Sequence, residues 1–358
     1  MDKKKIVHII PTFELGGVQT GILYSLEELN KVYDYKILAI GKVDNEWLKN
    51  MPSSLQNYIV NTGASTLVSG WLKGYRLLKQ LKPDFIISSL WKSVGLSATY
   101  KLLNKKVYLF GFFHSASSPH FASTFFMKVM SFVQDTSLAD SYVTKQFLEK
   151  FYKIKNTTII PYIFTFTKNK GYKNFDPLSV KLSYFGRISQ RKGVDRSIEF
   201  CSLLKEEGIN FIFDIYGEGP IEEYAEKIKK YGLENVVKIK TKLPLHHVIE
   251  NMQGYDFLLQ LSNHEGMALS VVEAMNSGLV PIVTPVGEIK RYSKDGFNAI
   301  WLDPEFDANL PILIKKVKKV INDPSIYQFL SSSAAGTFVN YKKYSEAFIE
   351  VVNSYLKV

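Results

Sequence analysis

The feature that most limits how this chain can fold is an alternation of short apolar segments with longer segments of helical periodicity, repeated along most of its 358 residues. The short segments are continuously apolar and rich in β-branched residues, which is typical of strands buried on both faces of a parallel sheet. Strands are predicted at Lys5–Ile10, Lys36–Ile40, Asn57–Val60, Phe85–Ser88, Val107–Phe113, Leu138–Val143, Thr157–Ile160, Lys181–Phe185, Phe211–Tyr216, Val236–Lys240, Phe257–Leu261 and Val280–Val283. The strand–helix order predicts an α/β fold.

The alternation stops once, which indicates two domains. Between residues 161 and 178, a stretch rich in Lys, Asn and aromatic residues is interrupted by Pro161, Gly171 and Pro177, and such breakers are typical of a linker. The predicted division is an N-terminal domain at 1–165, a linker at 166–179 and a C-terminal domain at 180–340, with a last helix at 341–358 that packs back on the first domain. Two such arrays predict two Rossmann-like, doubly wound domains that face a central cleft.

The excess of basic charge is confined to the first half of the chain. The net charge is +11, and residues 1–170 hold 22 Lys and Arg against 11 Asp and Glu, whereas residues 171–358 hold 23 of each. This asymmetry indicates an anionic partner, namely a phosphorylated substrate, an anionic membrane face or nucleic acid, unless it is only a solvated basic surface. No nucleic-acid recognition motif accompanies the charge, so nucleic acid is not expected to be a partner.

The cysteine content and the apolar runs limit where the chain is expected to work. The one thiol, Cys201, cannot form an internal disulfide, and its apolar surroundings predict a core residue. A chain of this size without disulfides is typical of a reducing compartment, so a cytoplasmic location is expected. No apolar run in the sequence is long enough to span a membrane as a helix.

The segment from His264 to Met275 carries the strongest functional signal. It follows a predicted buried strand and opens a helix, and its small residues leave backbone N–H groups able to face a phosphate. Glu265 in the loop is placed to bind sugar hydroxyls, and Glu273 inside the helix is placed to hold a ribose diol. The alternative is that Ser270 and Glu273 form a capping box and that Glu265 is a surface residue.

A second strand-to-helix turn carries two basic side chains. Arg187 and Lys192 lie five residues apart around this turn, so both can converge on one pyrophosphate. Arg would make bidentate contacts and Lys would supply a point charge, and together they would neutralise a leaving diphosphate. The alternative is a solvated basic turn.

Two weaker signals lie in the first half of the chain. Gly16 and Gly17 occupy the turn between the first strand and the first helix, where glycines let a backbone approach a ligand closely. They do not form a G-x-G-x-x-G dinucleotide fingerprint, which argues against a dehydrogenase. His114 directly follows an apolar strand, and ligands bind at the carboxyl ends of such strands. Taken singly, each signal is as compatible with a structural role as with binding.

Taken together, these segments resemble the retaining group 1 glycosyltransferases, also called family 4, which have the GT-B fold. Gly186-Arg187 with Lys192-Gly193 is similar to the G-R-x-x-x-x-K-G element of that family, and Glu265 through Glu273 is similar to its E-x7-E element. Weaker likenesses to its later glycine loop, its N-terminal glycine pair and a strand near the cleft floor are carried by Pro285-Val286-Gly287, Gly16-Gly17 and Ala139–Thr144. The likeness covers most of the chain and is strongest over residues 181–303.

The resemblance implies a role for each candidate residue. The donor diphosphate would be bound by Arg187 and Lys192, the ribose by Glu273 and the donor sugar by Glu265. Backbone groups of four residues would orient that sugar, namely Gly266, Met267, Ala268 and Leu269. Gly16 and Gly17 would approach the phosphates, and His114 would lie beside the transferred sugar. No protein nucleophile is implied, so front-face attack assisted by the departing diphosphate is expected.

The chain departs from the family pattern at a few positions. Tyr162 and Ile163 stand where the family often has Asn-Gly, Ser270 stands where Pro is common, and Glu288 stands where a second glycine is common. These differences bear on sugar identity and loop geometry. No Asp-x-Asp motif is present in the sequence, so neither a metal ion nor another cofactor is expected to be required.

The resemblance implies a hexosyltransferase-type enzyme. It would move a sugar with retention from a nucleotide-diphosphate sugar, by default a UDP-sugar, to a glycan or lipid-linked acceptor in bacterial capsule, O-antigen or exopolysaccharide synthesis. Peripheral contact with the inner membrane face is also implied, and the apolar segment Phe121–Val133 with Lys105, Lys106 and Lys128 is the candidate surface. A buried core helix is the alternative for that segment. Two other functions stay open, a sugar-nucleotide 2-epimerase of GT-B architecture and a non-catalytic nucleotide-sugar-binding protein.

Overall fold

In a computed structural model, the described residues are 2–14, 16–49, 51–115, 121–164, 175–302 and 310–356. The chain divides into two compact units. Unit 1 comprises Met1–Phe164 and Lys342–Val358, and unit 2 comprises Thr165–Tyr341. Each unit is built on one parallel β-sheet.

The described elements alternate along the chain as strands and helices. The strands are β1 Lys5–Ile10, β2 Asp34–Ala39, β3 Ile59–Asn61, β4 Phe85–Ser89, β5 Tyr108–Phe113, β6 Thr136–Ala139, β7 Thr157–Ile159, β8 Val180–Phe185, β9 Phe211–Tyr216, β10 Val237–Lys240, β11 Phe257–Gln260, β12 Val280–Val283 and β13 Ile300–Trp301. The helices are α1 Gly17–Val32, α2 Asn45–Lys49, α3 Ser53–Gln56, α4 Leu67–Leu81, α5 Val94–Leu103, α6 Phe121–Val133, α7 Tyr142–Phe147, α8 Val194–Glu206, α9 Ile221–Lys230, α10 Leu245–Met252, α11 Leu269–Asn276, α12 Ile289–Tyr292, α13 Leu310–Asn322, α14 Pro324–Gly336 and α15 Tyr344–Leu356.

The sheet of unit 1 is doubly wound. Its strand order is β3-β2-β1-β4-β5-β6-β7, and neighbouring strands pair in parallel. The chain leaves β1 toward one edge of the sheet and later continues from β4 toward the other edge. The switch point between β1 and β4 is where parallel sheets of this kind bind ligands, at the carboxyl ends of the strands.

Alternate residues of the unit 1 strands pack on opposite helical layers. One face of the sheet, which includes Val7 and Ile9, forms a core with α4, α5 and α6. The other face includes Tyr35 and Phe112, which contact the rings of Phe348 and Tyr344 on α15. The last helix of the chain therefore covers part of the first sheet. Burial on both faces explains why the strands are continuously apolar.

The sheet of unit 2 repeats this plan. Its strand order is β10-β9-β8-β11-β12-β13, again with parallel pairing, so its switch point lies between β8 and β11. Its core combines the strands with α8, α9, α13 and α14 and includes Cys201, which is fully buried as predicted. Burial raises the pKa of the Cys201 thiol well above its usual value, so the thiol stays protonated and unreactive.

The predicted α/β class and the existence of each predicted strand are confirmed, with several strand ends shifted by one or more residues. The strand predicted over Leu138–Val143 ends at Ala139, because the Ser141 side chain accepts a hydrogen bond from the Thr144 backbone N–H and begins α7 there. The short β13 was not predicted, since two residues give no periodicity. The predicted linker lies mostly outside the described residues.

Candidate functional site

The loop that leaves β8 lies directly against the end of β11. Gly193 has a φ of +70°, and a Cβ at this position would lie 1.8 Å from the backbone oxygen of Leu261. The backbone N–H of Asn263 donates to the Arg191 carbonyl at 2.9 Å, and Arg196 bonds the Leu261 carbonyl. A glycine is required here because only it tolerates both the left-handed backbone and the close approach. Because the loop lies so close to Leu261, Lys192 is placed at the carboxyl end of β11.

Lys192 forms an ion pair with Glu265 at this switch point. The Lys192 Nζ lies 2.9 Å from Oε1 and 2.7 Å from Oε2 of Glu265. The Glu265 side chain is only 5% exposed, whereas that of Lys192 is 31% exposed. The carboxylate is therefore held inside the protein, while the ammonium group reaches the surface and can meet an anionic ligand.

Neutral donors complete the surroundings of the Glu265 carboxylate. Gln260 donates through Nε2 to Oε1 at 2.7 Å, and Ser262 donates through Oγ to the same oxygen at 2.6 Å. The Ser270 hydroxyl donates to the Gln260 side-chain oxygen at 2.6 Å. The buried carboxylate therefore has an ion-pair partner and two further hydrogen-bond donors. A charge is tolerated inside a protein only when it is paired and hydrogen-bonded in this way.

The two alternatives proposed for this segment from sequence are wrong. The first residue before α11 is Ala268, with a φ of +55° and no side-chain cap, and Ser270 bonds Gln260 rather than closing a capping box. Glu265 is buried rather than a surface residue. Glu273 is also buried, inside α11.

The loop from Gly266 to Leu269 is held by the glycine loop that follows β12. Gly287 has a φ of +59°, and a Cβ there would lie 2.2 Å from the Glu265 carbonyl. The Glu288 backbone N–H donates to the Gly266 carbonyl at 2.9 Å, and the Tyr292 hydroxyl donates to the Met267 carbonyl at 3.1 Å. These contacts hold in place the backbone that was predicted to orient a sugar.

Arg187 lies in the same loop as Lys192 but is not drawn into the ion pair. Its side chain is exposed, and its backbone carbonyl accepts a hydrogen bond from the Tyr184 hydroxyl at 2.6 Å. Lys192 is turned onto Glu265 instead. The predicted convergence of the two cations on one phosphate thus stays a prediction, and the solvated basic turn describes Arg187 but not Lys192.

His114, the candidate side chain of unit 1, belongs to a polar row that crosses its sheet. The His8 ring on β1 is hydrogen-bonded to the Tyr35 hydroxyl at 2.6 Å and to the Ser89 hydroxyl at 2.7 Å. Ser89 on β4 is also bonded to His114 Nε2 at 2.8 Å, and His114 Nδ1 is bonded to the Tyr162 hydroxyl at 3.1 Å. The row therefore links the switch point of the sheet to the residue that follows β5.

Both histidines of this row are neutral. Burial lowers the pKa of His8 to about 3, and burial together with the neighbouring His8 lowers the pKa of His114 well below its usual value. An Asp140 carboxylate oxygen lies 3.9 Å from His114 Nδ1, which favours a hydrogen on that nitrogen. His114, whose side chain is 3% exposed, thus has both ring nitrogens engaged inside unit 1.

The glycine pair lies beside this switch point at the start of α1. Gly16 is the residue before the helix, and Gly17 begins it. A Cβ at Gly17 would meet no atom of the described residues within 4 Å, so none of them fills the space over this backbone. The preceding Leu15 lies outside the described residues.

The described part of the chain contains no group of three or more His, Cys, Asp or Glu side chains that could hold a metal ion. None of its helices is both long and apolar enough to cross a bilayer.

Sequence reasoning missed Gln260 and Ser262, the two neutral donors to Glu265. Gln260 is the last residue of an otherwise apolar buried strand, and a polar residue in such a place signals a buried hydrogen-bond partner. The pairing of Lys192 with Glu265 was also missed, because the two residues are far apart in sequence and only strand order brings them together.

Part of the chain is similar in sequence to known glycosyltransferases. A sequence model of the family described as Glycosyl transferases group 1 matches residues 165–336, nearly all of unit 2. WcaL of Escherichia coli K12, named as a colanic acid biosynthesis glycosyltransferase, is 34% identical over 133 residues, covering 34% of this chain and 32% of WcaL. Protein CapJ of Staphylococcus aureus is 28% identical over 197 residues, covering 53% of this chain and 46% of CapJ. The chain spans 32% of the length of WcaL and 46% of the length of CapJ, which is less than half of either relative.

A solved structure extends the likeness to the whole chain. Anabaena Alr3699/HepE, crystallised with UDP-glucose, superimposes with a TM-score of 0.82 over 99% of this chain and 100% of its own, at 14% identity. A likeness at that identity shows the fold, which is GT-B with two Rossmann-like sheets. The chain therefore carries a group 1 glycosyltransferase domain at residues 165–336, within the GT-B fold.

Proposed function

We propose that the chain is a hexosyltransferase-type glycosyltransferase of bacterial cell-surface polysaccharide synthesis. It moves a sugar with retention from a nucleotide-diphosphate sugar, by default a UDP-sugar, to a glycan or lipid-linked acceptor in capsule, O-antigen or exopolysaccharide formation. The observation that carries the proposal is the Lys192–Glu265 pair at the switch point of unit 2, which presents an accessible cation beside a buried carboxylate. The names of WcaL and CapJ and the UDP-glucose bound to HepE support it.

In this proposal, some residues of unit 2 bind the nucleotide part of the donor and others bind its sugar. Lys192 and the exposed Arg187 bind the diphosphate, and Glu273 holds the ribose. Glu265 accepts hydrogen bonds from the donor sugar, and the backbone from Gly266 to Leu269 orients it. The cations stabilise the negative charge that develops on the diphosphate as the glycosidic bond breaks, which favours front-face attack without a protein nucleophile or a metal ion.

Residues of unit 1 also act on the donor in this proposal. Gly16 and Gly17 let the backbone approach the phosphates, since no residue that the structure describes fills the space over Gly17. His114 lies beside the transferred sugar. Because burial lowers the pKa of its ring and both ring nitrogens are engaged in hydrogen bonds, His114 serves as a neutral polar contact and not as a general base. A neutral ring also avoids placing a positive charge beside a sugar that becomes oxocarbenium-like as the bond breaks.

A ligand screen tests the proposed function. We expect a UDP-sugar, rather than a GDP- or ADP-sugar, to raise the melting temperature, since a ligand at 100 times its Kd stabilises the folded state by about 2.7 kcal/mol. Incubation with the same donor is expected to release UDP by transfer or slow hydrolysis. Epimerisation without UDP release would indicate an epimerase, and binding without any turnover would indicate a binding protein. Each of these two outcomes would reject the proposal.

We also propose that unit 1 contacts an anionic membrane surface through the outer face of α4, α5 and α6. Between residues 47 and 134 the sequence holds ten Lys and Arg and a single carboxylate, Asp84. On α6 Ser123 and Met130 are buried, and further apolar side chains of the helix are partly buried against the core of unit 1, so one face of α6 lies on that core and the other face is exposed. Phe121 and Phe132 are 85% and 87% exposed, and exposed aromatics among cations are typical of interfacial helices.

Liposome flotation tests the membrane proposal. The chain is expected to float with vesicles containing phosphatidylglycerol and not with pure phosphatidylcholine, and to be released by high salt because salt screens surface charge. The double variant Phe121→Ser/Phe132→Ser should lose most of this binding. Phe329→Ser, which removes an exposed phenylalanine from unit 2, is the matched control and should float normally. Equal flotation of all three proteins would contradict the proposed surface.

A further inference from the structure

The two oxygens of the Glu265 carboxylate have unequal surroundings. Oε1 accepts from Lys192 Nζ at 2.9 Å, from Gln260 Nε2 at 2.7 Å and from Ser262 Oγ at 2.6 Å. Among the described residues, Oε2 accepts only from Lys192 Nζ, at 2.7 Å. Since each carboxylate oxygen has about two lone-pair sites, Oε1 is saturated, whereas Oε2 retains the capacity to accept a further hydrogen bond.

The orientation of the Gln260 amide is determined by its neighbours. A carboxylate only accepts hydrogen bonds, so the nitrogen of the Gln260 amide must face Glu265. Its oxygen then needs a donor, and the Ser270 hydroxyl supplies one at 2.6 Å. Gln260 is 1% exposed at the end of β11, and Ser270 lies in the first turn of α11. A continuous chain of hydrogen bonds therefore runs from the partly buried Ser270 on α11 through the buried Gln260 to Oε1.

Lys192 cannot by itself keep the carboxylate in place during catalysis. In the proposed function the donor diphosphate competes with Glu265 for the Lys192 ammonium group, which is the more exposed partner of the pair. When the ammonium moves toward the phosphates, the hydrogen bonds from Gln260 and Ser262 are what remain on Oε1. These neutral donors hold the side chain without competing for the phosphates.

We infer that Gln260 is a positioning residue for sugar transfer, which rests on the proposed function. With Ser270 behind it, Gln260 fixes Oε1 and thereby directs Oε2 of Glu265 toward a hydroxyl of the donor sugar. Gln260 itself does not touch the donor. The departure from the family pattern at Ser270, where proline is common, has a function on this view, because proline has no hydroxyl to orient the amide.

The variant Gln260→Leu tests this inference by removing the donor while keeping a side chain of similar size. We expect kcat with the donor found in the ligand screen to fall about 10- to 100-fold, as for a lost hydrogen bond to a charged group. The Kd for UDP, measured by calorimetry, should stay within about twofold, because Lys192, Arg187 and Glu273 are intact. Gln253→Leu, at an exposed glutamine after α10, is the matched control and should match the wild type in both measurements.

Two further comparisons separate positioning from a packing role. Ser270→Ala should lower kcat, and Ser270→Thr, which keeps the hydroxyl, should restore it. In a Glu265→Ala background, Gln260→Leu should cause no further loss, because the carboxylate that it orients is gone. An additive loss in that background, or a parallel loss of UDP affinity and melting temperature in Gln260→Leu, would show that Gln260 acts through packing.

The outcome for the wild type separates this inference from the function on which it rests. If the wild-type chain neither binds nor turns over a nucleotide sugar, both proposals are contradicted. If the wild-type chain is active and Gln260→Leu has the same kcat, only the role of Gln260 is contradicted.

Discussion

Replacing Lys192 with alanine is expected to lower kcat/KM for the nucleotide sugar by about 100- to 1,000-fold, the usual effect of removing one group that stabilises developing charge. The ammonium group is the cation beside the buried Glu265, and it is exposed enough to meet a diphosphate. Steady-state kinetics would give the loss, and calorimetry with UDP should show weaker binding as well. The protein should stay folded, because Gln260 and Ser262 still donate to the carboxylate.

Two further variants test whether the effect of Lys192→Ala belongs to the proposed site: a control at another lysine and a change of the ion-pair partner. Lys205→Ala removes an exposed lysine from the end of α8, where its Nζ donates to the Gly232 carbonyl, and should leave the kinetics unchanged. Glu265→Ala should lower kcat but keep the affinity for UDP, because it removes the contact to the sugar and spares the cation. Near-normal kinetics in both Lys192→Ala and Glu265→Ala would contradict the assignment of the site.

Replacing Gly193 with alanine is expected to destabilise the chain by at least about 3 kcal/mol, well above the usual effect of a single substitution. The backbone of Gly193 has a φ of +70°, and the new Cβ would lie 1.8 Å from the Leu261 carbonyl oxygen. Since a backbone atom cannot move aside as a side chain can, the loop carrying Lys192 must separate from the end of β11. Urea unfolding and UDP binding would measure the two consequences.

Gly208 provides a matched control for the Gly193 variant. Its φ is +71°, almost the same as that of Gly193, but a Cβ there would lie more than 4 Å from every atom in the described part of the chain. Gly208→Ala should therefore cost only the strain of a left-handed backbone, about 1–2 kcal/mol, and leave UDP binding intact. Similar losses of stability in the two variants would mean that backbone conformation, and not the contact with Leu261, accounts for the glycine at position 193.

The local sequence pattern indicated which element each residue belongs to, but it did not indicate which side chains are exposed or what they contact. Phe121 and Phe132 on α6 are as apolar as core residues, yet they face outward, because the neighbouring α5 and the sheet occupy only one side of the helix. His114 was predicted at a strand end and lies there, but its engagement with Ser89 and Tyr162 depends on residues from β4 and from the segment after β7.

Local sequence was enough to indicate the two α/β units, nearly all of the strands, and the loops and helix that hold Arg187, Lys192, Glu265 and Glu273. The reason is that hydrophobic periodicity and the placement of glycines depend on only a few neighbouring residues. The ion pair of Lys192 with Glu265 and the support of Glu265 by Gln260 depended on tertiary structure. Those contacts join residues from β8, β11 and α11 that meet only because β11 pairs with β8 rather than with β10. Strand order is a property of the whole sheet, and no short segment specifies it.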